Sequence, residues 1–107
     1  MQFQLSGKHI EVTPALRSHV QAKTARLTRL DDHLLGLSVV LSLDRLEQCA
    51  EGTLETSGST FHAKAAETDM YTAIDILFDK LVSQLRRHRE KIIARHKKAA
   101  RQDYQPG

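Results

Sequence analysis

Asp69-Met70-Tyr71-Thr72-Ala73-Ile74-Asp75-Ile76-Leu77-Phe78-Asp79-Lys80-Leu81-Val82-Ser83-Gln84-Leu85 reads as one long amphipathic helix. Met70, Ile74, Leu77, Phe78, Leu81 and Leu85 recur at spacings of three and four, and Ile92 prolongs the series, so one face of the helix is apolar. Asp69 stands where a carboxylate can accept from the first unpartnered backbone N–H groups and cap the helix. Continued to about Lys98 at 1.5 Å per residue, the helix is roughly 43 Å long, longer than any strand the chain offers. Its end is therefore expected to overhang whatever it packs on. Residues 99–107, with Pro106 and no apolar periodicity, are expected to form a disordered tail.

Working back from this helix, Phe61, Ala63 and Ala65 alternate with polar residues, and Ser57-Gly58-Ser59 before them offers a tight turn. The Thr- and Glu-rich run Cys49–Thr56 is a weak strand by itself and becomes the other arm of that hairpin. Leu37, Val39, Leu41 and Leu43 point to one face of a further strand, opposed by Ser38 and Ser42, although Val40 blurs the alternation. A turn is expected near Asp44–Gln48. Thr13-Pro14 is an N-cap followed by proline at the first helical position, and Leu16, Val20, Leu27 and Leu30 follow at helical spacing, giving a first helix from Pro14 to Leu30. Phe3 and Leu5 alternate with Gln2, Gln4 and Ser6 in a strand that stops at Gly7. The order is βαβββα. An α+β domain with both helices packed on one face of a four-stranded sheet is the simplest way to bury every apolar face.

At 107 residues the chain fits a single domain, expected over residues 1–98. No apolar run approaches membrane-spanning length, and Met1-Gln2-Phe3-Gln4-Leu5 lacks the basic start and apolar stretch of a secretory signal. The expected location is cytoplasmic. Cys49 is the only cysteine, has no companion at metal-ligand spacing, and fits a reducing compartment as a plain strand residue. The six histidines include no i, i+4 pair and no carboxylate joins them in a metal pattern, so neither a metal nor any other cofactor is expected. The glycines form no phosphate loop and no Gly-x-Ser-x-Gly elbow exists. Asp75 and Asp79, one turn apart, are read as acids that suit the early part of a helix and its solubility rather than as a catalytic pair. These observations argue against an enzyme.

Charge is the informative property. The formal net charge is only +3, but between Lys80 and Arg101 nine Lys or Arg residues face a single acid, Glu90, while the rest of the chain is net acidic. With Ile74 at 0° and about 100° per residue, Lys80, Arg87, Lys91 and Lys98 fall within about 220° to 260°, in one stripe away from the apolar face. Arg86 and Arg89 flank the apolar face on its other side. Surface charge is ordinarily a solvated face, but like charges at i, i+4 such as Arg87 and Lys91 cost helix stability unless an anion compensates. A polyanion is the better reading. On the first helix Arg26 and Arg29 lie beside the apolar stripe and Lys23 within it; Lys23 either snorkels past the core or joins Arg26 at a groove shared with Lys80 and Arg87. His62 and Lys64 point away from the core, extending a binding surface or keeping an exposed sheet soluble. With Phe3, Phe61 and Phe78 assigned to the core, few rings remain to stack bases, which favours folded RNA read through phosphates and shape.

Asp69-Met70-Tyr71-Thr72-Ala73-Ile74-Asp75 with Asp79-Lys80-Leu81 and Gln84-Leu85, together with Gly7-Lys8-His9-Ile10-Glu11-Val12-Thr13-Pro14-Ala15-Leu16-Arg17, resembles the short ribosome hibernation promoting factors over about residues 1–96. The resemblance implies a βαβββα domain related in shape to double-stranded RNA-binding domains, seated in the small-subunit channel where mRNA and tRNAs bind. It carries Lys80, Arg87, Arg89 and Lys91 on the second helix and Lys23 and Arg26 on the first as RNA contacts, and Arg29, Lys64 and Arg86 complete the candidate set. The chain departs from the family at Ser83, where relatives often have a basic residue, and at Arg86, where they can be neutral. Lacking a second domain or an acidic tail, it is expected to be of the short form that helps ribosomes pair into inactive dimers in stationary phase. The partners so implied are the small ribosomal subunit and its rRNA, with a ribosome modulation factor acting alongside; the free protein is expected to be a monomer. The alternatives are a regulatory protein-binding module, since the family also carries the name sigma-54 modulation, and a generic duplex-RNA binder.

Overall fold

The computed structural model describes the backbone of residues 1–104 and the side chains of residues 1–95. Its elements are β1 (Gln2–Lys8), α1 (Pro14–Leu30), β2 (Leu34–Asp44), β3 (Glu47–Thr56), β4 (Ser59–Glu67) and α2 (Met70–Tyr104). The four strands form one sheet in the order β1-β2-β3-β4. β1 and β2 are parallel, a pairing that needs a crossover connection, which α1 supplies, and the other pairs are antiparallel hairpins. The expected βαβββα order and the helix-covered sheet are what the chain forms.

Each helix starts as its sequence dictates. The Thr13 hydroxyl accepts from the Leu16 N–H at 3.2 Å with Pro14 in the first turn, and Asp69 accepts from the Thr72 N–H at 3.2 Å. α2 extends six residues beyond the expected boundary at 98, because Ala99, Ala100 and Arg101 are strong helix formers and no breaker precedes Pro106. The expected disordered tail, residues 99–107, thus overlaps the last turns of α2, and its final residues, 105–107, lie outside the described residues.

Leu16, Val20 and Leu27 of α1, Leu37, Val39 and Leu41 of β2, Leu54 of β3 and the Met70–Leu85 stripe of α2 form one buried cluster on a single face of the sheet. Gly52 belongs to this packing: a Cβ there would meet Leu77 and Leu81 methyls at 3.2–3.3 Å, so the missing side chain is what lets α2 lie close on β3. Leu43 was expected on the core face and is instead 40% exposed, because β2 runs on past the helices into the two-residue turn Arg45-Leu46. At the other end of β2 a register shift between Leu34 and Gly36 turns Leu34 inward and leaves Leu35 exposed. Here α2 leaves the sheet, with His88 and Ile92 beside Leu35, Thr56 and Ser57. Beyond Leu85 no α2 residue with a described side chain is fully buried. The molecule is accordingly elongated, 64 × 23 × 18 Å.

Candidate nucleic-acid interface

α2 is held on both flanks, and this fixes what its exposed crest can present. Along one flank it meets α1. Asp75 Oδ1 lies 2.6 Å from His19 Nε2 and 3.4 Å from Lys23 Nζ, and Asp79 Oδ1 accepts from Arg26 Nη1 at 2.8 Å. Tyr71 meets the His19 ring edge-on at 5.1 Å. Partial burial opposes the charge on Asp75, but the His19 hydrogen bond and the Lys23 ammonium outweigh it and hold the carboxyl below its ordinary pKa. Along the opposite flank α2 closes the free edge of β4: Lys80 Nζ donates to the Lys64 carbonyl at 2.7 Å and Gln84 Nε2 to the His62 carbonyl at 3.2 Å. Those carbonyls would otherwise offer an open edge to another strand.

The candidate cations divide accordingly. Lys23 and Arg26 are half-buried and tied to the α1 flank of α2. Lys80 stands on the opposite flank, so the two sets straddle the crest and do not border one groove between the helices. A shallow depression on the crest, about 300 Å³, is lined by Asp79, Lys80, Ser83, Gln84 and Arg87. Arg29, Arg86, Arg87, Arg89 and Lys91 are exposed, and among the described residues none of them is in an ion pair. The Lys64 side chain lies apart on the helix-free face of the sheet, where it lines a hollow with Lys8, Ser42, Cys49 and Glu51. His62 on that face lies 3.0 Å from Glu51 and 3.1 Å from the Thr53 hydroxyl.

Reading Asp75 and Asp79 as solubilising acids missed their ion pairs across the helices. The signal was present as a matched spacing: acids four apart on α2 against His19, Lys23 and Arg26 along one side of α1. Among the described residues no group of three or more His, Cys, Asp or Glu side chains is assembled for a metal ion. No described helix is long and apolar enough to cross a membrane.

Residues 3–93 match the family described as Sigma 54 modulation protein / S30EA ribosomal protein. The chain belongs to this family. It is 44% identical over 95 residues to the ribosome hibernation promoting factor of Azotobacter vinelandii, covering 89% of each chain. It is 40% identical over 92 residues to that of Escherichia coli K12, covering 86% of this chain and 97% of the relative. Among solved structures, the N-terminal domain of Thermus thermophilus Protein Y superposes with a TM-score of 0.77 at 36% identity, over 82% of this chain and 99% of that one. A ribosomal subunit interface protein from Coxiella burnetii gives 0.76 at 28% identity, over 84% and 99%. The family match spans all nine candidate cations and ends just past Lys91.

Proposed function

We propose that this chain binds the small ribosomal subunit through rRNA contacts made by α1 and α2, occupies the channel that mRNA and tRNA use, and so holds the ribosome idle. The observation that carries the reading is the stretch of α2 past Leu85, where Arg87 and Lys91 on the crest stripe and Arg86 and Arg89 on the other side of the helix stand exposed without carboxylate partners among the described residues. Four cations within six residues repel one another, and a phosphate backbone is the partner that offsets this. The relatives' name, ribosome hibernation promoting factor, supplies the polyanion. Occlusion needs no chemistry: phosphate contacts fix the register of the domain, and its volume excludes the competing ligands. Pairing of idle ribosomes into dimers, with a ribosome modulation factor acting alongside, and action as a monomer complete the reading.

Sedimentation of ribosomes with and without the protein tests it. Comigration with small subunits, displacement by excess mRNA and initiator tRNA, and a shift of whole ribosomes to dimers are expected. Stable co-occupancy with mRNA and tRNA in their normal positions overturns occlusion. Binding to purified transcription components that survives high salt favours a protein partner instead.

A further inference from the structure

Asp75 and Asp79 present a puzzle once the α2 crest is read as a phosphate-binding surface. Two carboxylates sit beside the cations that should meet RNA, and Asp79 lines the same depression as Lys80 and Arg87. Neither is needed to satisfy a buried group: Asp79 is 63% exposed and Asp75 44% exposed, and exposed pairs contribute little to folding. Their consequence is electrostatic. Each ties up an α1 cation, Lys23 at 3.4 Å and Arg26 at 2.8 Å, and each repels an approaching phosphate.

We infer that Asp75 and Asp79 are specificity-determining residues, which lower the affinity of this face for arbitrary polyanions by holding Lys23 and Arg26 against α2. The inference rests on the proposed ribosomal reading and deepens it. A basic face that must find one site among a large excess of other RNA needs its loose binding weakened more than its specific binding, and a repulsive element placed within the attractive surface does this. A flexible or arbitrary duplex can adjust to whichever cations are free, so it gains when Arg26 is released. A rigid site already matched to the held positions gains little, because releasing Arg26 also loses the orientation that Asp79 gives it.

The test compares wild type, Asp79→Asn and Asp44→Asn for binding to small ribosomal subunits and to an RNA duplex of arbitrary sequence at one salt concentration. Asp44 lies at the β2–β3 turn, at the opposite end of the sheet from where α2 leaves it, and controls for the change in net charge. Asp79→Asn is expected to tighten duplex binding about two- to fivefold, the range of an exposed ion pair, with less than about a twofold change for the subunit. Asp44→Asn should move neither by as much. In an Arg26→Gln background the Asp79→Asn gain should shrink, since the partner it releases is gone. Equal gains for duplex and subunit, equal effects of the two Asp variants, or an undiminished gain without Arg26 would each overturn the inference. Failure of the wild type to bind subunits overturns the ribosomal reading itself, which the wild-type measurement shows separately from the variant ratios.

Discussion

Replacing Arg87 and Lys91 with Ala removes two exposed cations one helical turn apart, about 6 Å along α2. If each meets one phosphate, each releases counterion on binding, and the slope of log affinity against log salt becomes shallower by about 0.7 to 0.9 per contact. Two contacts give about 1.4 to 1.8. Between 50 and 200 mM salt, a range of about 0.6 log units, the affinity gap between wild type and the double variant should shrink roughly tenfold. Neither side chain is buried, so melting should move little, by about 0.5 kcal/mol or less. Labelled protein is titrated onto small subunits across a salt series, with Lys8→Ala/Arg45→Ala as the control of equal charge change. Those two residues lie at the end of the sheet remote from Arg87 and Lys91, and at about 0.15 M salt their fields decay over about 8 Å. An unchanged slope for Arg87→Ala/Lys91→Ala refutes direct phosphate contact. An equal slope change in the control reduces the site to diffuse attraction.

Three further outcomes follow from the packing. Gly52→Val should destabilise the fold by about 1–3 kcal/mol, read as a lowered melting temperature, because even its Cβ presses on Leu77 and Leu81 and the extra methyls have nowhere to go. Asp75→Asn should destabilise by less than about 1 kcal/mol at neutral pH, and its gap to wild type in urea melts should close as pH falls below about 4. The sign follows from a folded pKa held below the unfolded one: that stability is present above the unfolded value and lost as pH drops through the folded value. Arg45→Gly should be neutral or stabilising by up to about 1 kcal/mol in the same melts, since Arg45 adopts φ 58° in the two-residue turn.

What could be read from the sequence and what could not divide along a physical line. Helix starts were legible because capping is local: Thr13-Pro14 and Asp69 sit within three residues of the N–H groups they serve. The sheet was legible because a strand buried on one face must alternate, as Leu37, Val39 and Leu41 do. The ends of β2 were not, since Leu43 is exposed by where the helices stop and Leu34 is buried by a register shift, and neither is a property of the strand itself.

The candidate interface shows the same division more sharply. The α2 stripe followed from helical angle alone, but the state of each cation depends on what the neighbouring element brings. Lys80 and Lys91 lie within about 20° of one another on the helix wheel, yet the Lys80 ammonium is engaged by a β4 carbonyl while Lys91 stands beyond the sheet. Lys23 sits at an angle that suits snorkelling and is instead turned to a carboxylate 52 residues away in sequence. Charge count and periodicity therefore locate a basic face, whereas which α2 cations are free to meet a phosphate at once is set by where α2 runs out of partners, past Leu85. The overhang is the part of the molecule where the sequence most directly becomes surface, and it is there that substitutions should alter binding with the least effect on folding.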